Sequence, residues 1–335
     1  MAFIFHLTGE NCTIPRAEVL AVLESMDISF EVLHSYEQVL VVEAGDLGDI
    51  PPRLGMTHGV YEYLGYCDPT YRDILSLTRS IIQRVSDGFA VRIKRIGEHS
   101  KDLKRDKLER EMGGIIGKRV DLSQTSCLIV GFLTDRFILG RLIHSLPGTR
   151  YPRRHPKDRP FFHPGVLLPR TARAVVNLTR VKPGEKIIDP FCGTGGFLIE
   201  AGLMGADVYG CDIDAEMVQG CEKNLKHYGI KYKISVADVR ELWKEYPNFF
   251  DALATDPPYG ISASTKGLRL DELYRESVKS FYKMLKEGKY ACLVAPHVVG
   301  VEEYAKKVGF QIIEKHLDRV HRSLTRKILV MRKWS

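Results

Sequence analysis

Four acidic residues each close a short apolar run: Asp189 after KII, Asp212 after VYGC, Asp238 after ISVA and Asp256 after ALAT. Singly, each is explained as a strand-end or helix N-cap residue. Four at successive strand ends point into one crevice, which capping alone does not explain. The last of them opens DPPYG, residues 256–260. Pro257 and Pro258 fix the backbone and present carbonyls without competing N–H donors. With Asp256 they make a set of acceptors around one –NH2 group, and Tyr259 offers a ring on which a planar base can stack. The exocyclic amine of a base is a poor nucleophile because its lone pair is delocalised into the ring. Acceptors that hold both its hydrogens favour a tetrahedral nitrogen with the lone pair aimed at an incoming methyl. A Pro-Pro turn that merely ends a strand is the plain alternative.

The first acid opens DPFCGTGGF, residues 189–197. Gly193 and Gly195 allow a tight strand-to-helix turn and let a ligand approach the backbone. The pattern is G-x-G-G rather than G-x-G-x-x-G, since Leu198 stands where the third glycine would be, and no G-x-x-x-x-G-K-[ST] phosphate loop occurs. A carboxylate at the strand end suits a cationic ligand amine better than a pyrophosphate. S-adenosylmethionine fits, having an amine, a sulfonium and no phosphate. Asp212 follows about 20 residues later, where an acid can hold ribose hydroxyls. Asp238 can accept a hydrogen bond from an adenine amino group.

The elements that must position these residues are legible as an alternation. Strands are expected at 186–189, 207–211, 233–236, 251–255 and 290–294. Helices are expected at 170–179, 196–204, 215–228, 271–285 and 302–308, and strands at 310–316 and 327–332 close the chain. The short connection between the last two predicts an antiparallel last strand. The pattern predicts an α/β fold, an open doubly wound Rossmann-like sheet with ligands at the carboxyl ends of its strands. Ahead of it, strands at 2–8, 30–33, 39–43, 89–96, 126–132 and 137–142 mix with helices at 15–26, 70–85 and 103–116, as in an α+β module. Residues 147–168 are proline-rich and basic, and cannot form a regular helix or central strand. They read as a linker at the domain boundary that packs onto the C-terminal domain, because Phe161 and Phe162 are costly to leave in water.

The chain has 335 residues, 44% hydrophobic and 27% charged, which excludes a disordered or fibrous protein. No apolar run has the length of a membrane span, and the N-terminus carries no signal-peptide pattern, so a cytoplasmic protein is expected. Seven scattered cysteines never form a C-x-x-C pair, so neither a disulfide framework nor a metal centre is expected. The net charge of +7 is uneven: residues 1–50 hold one basic residue against nine acidic ones, while residues 101–200 hold 19 basic against 10 acidic. A polyanion would meet the middle and C-terminal surfaces. The alternating FAVRIKRI segment would present Arg92, Lys94 and Arg95, and the linker Arg153, Arg154 and Arg159, for RNA backbone contact. A solvated basic face is the alternative at each of these runs.

Together, DPFCGTGGF, GCDID, ADV and DPPYG resemble a class I S-adenosylmethionine-dependent methyltransferase acting on an exocyclic amine. The segment RPFFHPGVLLPRTARAVVNLTRV resembles the tRNA guanine-N2 methyltransferases that modify guanosine 10, the archaeal type above all. Residues 88–142 look like a THUMP RNA-binding domain. The resemblance implies a ferredoxin-like segment at 1–45, a THUMP domain at 46–146 and a methyltransferase domain at 169–335. It implies that Asp189, Cys192, Gly193 and Gly195 line the methionine part of the cofactor. Asp212 would bind the ribose beside Ile213, while Asp238 and the Val239 backbone read the adenine edge. Asp256 would bind the guanine amine and take its proton, with Pro257 bracing the turn and Tyr259 stacking on the base. The implied partners are tRNA and, in some lineages, a small zinc-binding methyltransferase activator subunit at the sheet edge. The product would carry one or two methyl groups. The other assignments open to these motifs are the same chemistry at tRNA guanosine 6 or on ribosomal RNA, a DNA amino-methyltransferase, and a non-catalytic RNA-binding protein.

Overall fold

The structure, a computed structural model, describes residues 1–146, 148, 151, 154–260, 270–321 and 324–334. Residues 1–16, 28–52 and 57–148 form one compact unit, and residues 17–27, 53–56 and 149–335 a second. Among the described residues, no helix is long and apolar enough to cross a membrane.

The first unit holds, in chain order, β1 (Ala2–Leu7), α1 (Ile14–Ser25), β2 (Phe30–Tyr36), β3 (Val39–Ala44), α2 (Ile50–Arg53), β4 (Thr57–Cys67), α3 (Tyr71–Ser80), β5 (Phe89–Arg95), α4 (Arg105–Ile116), β6 (Cys127–Leu133) and β7 (Phe137–Ser145). Helices α1 and α2 run on into the second unit. The strands make one sheet in the order β2-β3-β1-β4-β7-β6-β5, in which β5 and β6 pair in parallel. This sheet is continuous across residue 45, through the pairing of β1 with β3 and β4. Strand β4 is absent from the sequence-based expectation. Its sequence, THGVYEYLGYC, carries two glycines, and its pairing with β7 shifts register between Val60 and Tyr61 and between Tyr63 and Gly65. Such bulges break the two-residue alternation by which a strand is recognised. The helix expected at 70–85 stops at Ser80 and gives way to a 3-10 turn, Ile82–Arg84.

The second unit continues with α5 (Pro169–Leu178), β8 (Lys186–Asp189), α6 (Gly196–Gly202), β9 (Asp207–Asp212), α7 (Ala215–His227), β10 (Tyr232–Val236), α8 (Val239–Leu242), β11 (Phe250–Thr255), α9 (Leu270–Met284), β12 (Leu285–Pro296), α10 (Val301–Val308), β13 (Phe310–His321) and β14 (Leu324–Lys333). The sheet order is β10-β9-β8-β11-β12-β14-β13, with β14 antiparallel to both neighbours and the other pairs parallel. The expected doubly wound sheet is therefore present. Strand order reverses between β8 and β11, and the crevice for a ligand opens at their carboxyl ends. The core under it combines Leu253, Phe250 and Leu293 of the sheet with Tyr274, Val278 and Phe281 of α9.

Residues 17–27 belong to this unit because Glu18 is buried in it. The Glu18 carboxylate accepts from the Gly55 and Met56 backbone N–H groups and from Asn177 Nδ2 of α5, at 2.6, 2.7 and 2.7 Å. Arg53 Nε donates in turn to Asn177 Oδ1 at 3.1 Å.

The linker does pack onto the C-terminal domain, but through one of its two phenylalanines. Phe161 lies on Gly220 of α7, where an added Cβ would fall 2.1 Å from the ring. Its N–H donates to Asn224 Oδ1 and its carbonyl accepts from Asn224 Nδ2, both at 2.9 Å. Phe162 is 45% exposed. A glycine inside a helix ordinarily costs up to about 1 kcal/mol relative to alanine; here it admits the ring. Gly220→Ala is therefore expected to lower stability by about 1–3 kcal/mol despite its better helix propensity. Denaturant unfolding checks this, and an unchanged or higher midpoint would remove Phe161 from α7.

Candidate active site

Strand β8 delivers Asp189 to the carboxyl edge of the sheet, where it is 2% exposed. One of its oxygens accepts from Thr255 Oγ1 at 2.7 Å and from the Phe191 N–H at 3.1 Å. Burial pushes the Asp189 carboxyl up to about 7 against the lowering effect of those two bonds, and Asp212 and Asp256 raise it further. The turn after β8 needs its glycines. Gly193 and Gly195 sit at φ +48° and +85°, and a Cβ on Gly195 would fall 2.7 Å from Cys221 Sγ. The Gly193 N–H donates to Asp212 Oδ2 at 3.0 Å, which ties the turn to the end of β9. Burial raises the Asp212 carboxyl as well, opposed by hydrogen bonds from the Asp214 and Gly193 backbone. Asp238 caps α8 and is held by Arg240, whose Nε lies 3.0 Å from both of its oxygens. That arginine keeps the Asp238 carboxyl below the usual range.

Strand β11 ends at Thr255, and the DPPYG turn leaves the sheet there. Tyr259 OH donates to Asp256 Oδ1 at 2.6 Å. Burial pushes the Asp256 carboxyl up to about 6, with the Tyr259 hydrogen bond and the Arg326 charge pulling the other way. Tyr274 OH of α9 donates to the Pro257 carbonyl at 3.3 Å. The Tyr259 and Tyr274 hydroxyls are both pushed up by burial, then by the Asp256 charge, and stay protonated donors.

These residues meet in one cleft of about 740 Å³. Asp189, Asp212, Asp238 and Asp256 all line it, as do Cys192 and Gly193 of the turn. Ile213, 39% exposed, and Val239 supply apolar wall on the β9–β10 side. Pro257 and Tyr259 line the β11 side. Gly195 is not part of the lining; it is the N-cap residue of α6.

The basic residues expected to meet RNA divide. Arg92 is exposed on β5, with Glu109 at 3.9 Å. Lys94 is half-buried, 3.5 Å from His6 Nδ1. Arg95 is turned to its own unit, donating to the Ser100 carbonyl at 3.0 Å and to that of Leu103. Arg153 lies outside the described residues. Arg154 pairs with the buried Glu200 at 3.2 Å. Arg159 is 5% exposed and donates to the Arg154 carbonyl, so the expectation that it contacts RNA is corrected. A carboxylate with no exposure cannot be left unpaired, and Glu200 draws Arg154 and Arg173 inward.

Sequence reasoning missed four contributors. Thr255 stands next to DPPYG, and its position before the motif was the available signal. Tyr274, His321 and Arg326 come from α9, β13 and β14, and no local spacing connects them to the cleft; that takes the register of the sheet.

A family model described as RMKL-like, methyltransferase domain matches residues 156–328. A tRNA (guanine(10)-N2)-dimethyltransferase from Methanothermobacter thermautotrophicus is 40% identical over 99% of this chain and 99% of its own. Another of that name, from Pyrococcus abyssi, is 38% identical over 98% of this chain and 99% of its own. The chain belongs to this family. Among solved structures, TrmN from Thermus thermophilus matches with a TM-score of 0.58 at 19% identity, covering 99% of this chain and 100% of that one. That likeness is one of fold.

The acids of this family member carry a stability consequence. The ordinary value for Asp189 is 3.8, and it is raised to about 7 in the folded chain. Between those values the folded form holds a proton that the unfolded chain releases. Stability from this group therefore falls as pH rises through the window, and the penalty is complete above it. Asp189→Asn is expected to remove that slope and to be more stable at pH 8, by about 2–4 kcal/mol. Melting curves at pH 5 and pH 8 check it; equal slopes for the two proteins would count against a strained carboxyl.

Proposed function

We propose that this chain transfers a methyl group from S-adenosylmethionine to the exocyclic N2 amine of guanosine 10 in tRNA, once or twice. The observation that carries the reading is Asp256: a half-buried carboxylate with its pKa pushed up to about 6, facing the cleft that Asp189 and Asp212 also line.

The residues present fit the cofactor. The cleft lies within the roughly 300–1,000 Å³ typical of small-molecule sites. Among the described residues Asp189 and Asp212 pair with no cation, and the G-x-G-G turn has no phosphate-binding third glycine. When bound, S-adenosylmethionine supplies an electrophilic methyl on a sulfonium. Asp189 and the turn around Cys192 and Gly193 would hold the methionine end. Asp212 would accept from the ribose hydroxyls, between the apolar walls of Ile213 and Val239. Asp238 would share its oxygens between Arg240 and the adenine amine.

On the other side of the cleft, Asp256 and the proline carbonyls accept from the amine hydrogens. The Pro257 carbonyl keeps a lone pair beside its bond from Tyr274. The Tyr259 ring, pinned through its hydroxyl, is a fixed wall for a base. As the nitrogen forms its fourth bond, it becomes acidic, and Asp256 takes the proton. A base inside a folded tRNA is stacked, so it must be extruded to reach the cleft. The first unit, with Arg92 exposed on β5, would grip the RNA by shape and backbone as a THUMP module does. An activator subunit, where one is used, would add at the open edge strand β10.

Mass spectrometry of nucleosides from tRNA treated with enzyme and cofactor tests the assignment. N2-methylated guanosine at position 10 supports it, and modification of duplex DNA in preference to tRNA overturns it. Asp256→Ala is expected to abolish transfer while tRNA binding survives; equal loss of both would deny the carboxylate this role. At saturating cofactor, kcat/KM is expected to rise with pH through about 6 as Asp256 ionises, then level off. The Tyr259 hydrogen bond favours the ionised form, so Tyr259→Phe is expected to move that limb to higher pH and lower the plateau. A limb that stays in place would place the titrating group elsewhere.

A further inference from the structure

Strand β14 brings into the cleft a guanidinium that neither the cofactor pocket nor the DPPYG turn accounts for. Arg326 pairs in register with Pro296 of β12 and Asp318 of β13, which sets it at the carboxyl edge of the sheet. It lines the same cleft as Asp256 and Tyr259. It is 8% exposed, and its Nε has no hydrogen-bond partner. Among the described residues it forms no ion pair, Asp318 across the strand pair included. Its guanidinium carbon is 5.7 Å from the centre of the Tyr259 ring. A guanidinium lying flat on that ring would approach to about 3.5–4 Å, so Arg326 stands off the ring rather than stacking on it.

A cation kept buried with unused donors costs stability unless a ligand answers it. The acceptors that could answer it here belong to the substrate. The DPPYG turn itself will hold an amine of either purine. On guanine, a carbonyl, O6, lies on the same edge as the N2 amine, one on each side of N1. Adenine has no carbonyl, and at position 6 it offers a donor that a guanidinium repels.

We infer that Arg326 is the residue that specifies guanine, donating to O6 while Asp256 accepts from the N2 amine. This rests on the methyl-transfer function proposed above and assigns the base reading that the motif alone does not carry. Arginine is suited to the task because its donors are fixed in a planar fork and its charge never titrates away.

The test compares wild type and Arg326→Gln on two tRNAs that differ only at the target nucleotide, guanosine in one and 2-aminopurine riboside in the other. The analogue keeps the exocyclic amine and the purine frame but has no O6. Wild type is expected to prefer guanosine in kcat/KM by on the order of tenfold to a hundredfold. Removing the Arg326 charge also raises Asp256 and slows both substrates alike, so the reading is the ratio: the guanosine preference is expected to shrink by about tenfold or more. An equal loss on both substrates would overturn the inference, because Arg326 would then act on the backbone phosphate or through Tyr259. No transfer to the guanosine tRNA by wild type would sink the methyl-transfer reading and this inference with it. Cofactor affinity of the variant is measured first. Arg326→Met, which keeps the length of the side chain without its donors, replaces the glutamine variant if that protein fails to bind cofactor, with the same outcomes.

Discussion

The hydrogen bond from Thr255 Oγ1 to Asp189, at 2.7 Å, joins the ends of β8 and β11. Those are the two strands between which the sheet reverses its order and the crevice opens. A carboxylate with 2% exposure is expensive to hold, and this bond and the Phe191 N–H are what hold it. Thr255 is also the last residue of β11. The same contact therefore fixes the place where the chain leaves the sheet and the DPPYG turn begins. The cofactor side and the acceptor side of the cleft share a side chain-to-side chain link, and neither can shift without the other.

The rest of the cleft is held largely by backbone. The Gly195 N–H closes the turn onto the Cys192 carbonyl at 2.7 Å, and the Cys192 N–H reaches the Cys211 carbonyl of β9 at 2.9 Å. Asn224 of α7 adds a clamp from outside, donating to the Thr194 and Phe161 carbonyls at 2.9 Å each. Net contributions of about 1 kcal/mol per bond are small singly, but together they set positions. Asp212 joins this frame through the Gly193 N–H, whereas Asp238 is held by a cation. It is already engaged by Arg240, so reading an adenine edge there means sharing a charge-assisted pair.

The catalytic half was legible because its chemistry is local. Each acid ends its strand or follows it within two residues, so finding the strand finds the acid, and the alternation of apolar runs located every strand of that sheet. The first unit was less legible. Strand β4 hides behind two bulges, and the segments expected on either side of residue 45 share one sheet through it. Charge counting placed arginines in the linker but could not foresee the buried Glu200. That carboxylate turns Arg154 and Arg173 inward, and Arg159 is buried beside them. A basic run in a sequence records how many charges are present, and only packing decides which remain available. Arg326 is the converse, an unremarked arginine near the chain end whose place depends on the antiparallel register of β14.

The three carboxylates nearest the reaction cannot be at rest together. Asp212 and Asp256 both raise Asp189, and burial raises all three. In water each would ionise without difficulty, so the site is destabilised by its own assembly and offset by the apolar core beneath it. A ligand carrying an ammonium and a sulfonium relieves this repulsion, whereas a pyrophosphate would aggravate it. The strain is thus selective, since it diminishes with the charge type that the proposed methyl donor would bring. Arg326 partly compensates from the other wall, lowering Asp256 without pairing with it. A salt bridge between them would hold the carboxyl lower, and without one it keeps a value of about 6, as the proposed proton transfer requires.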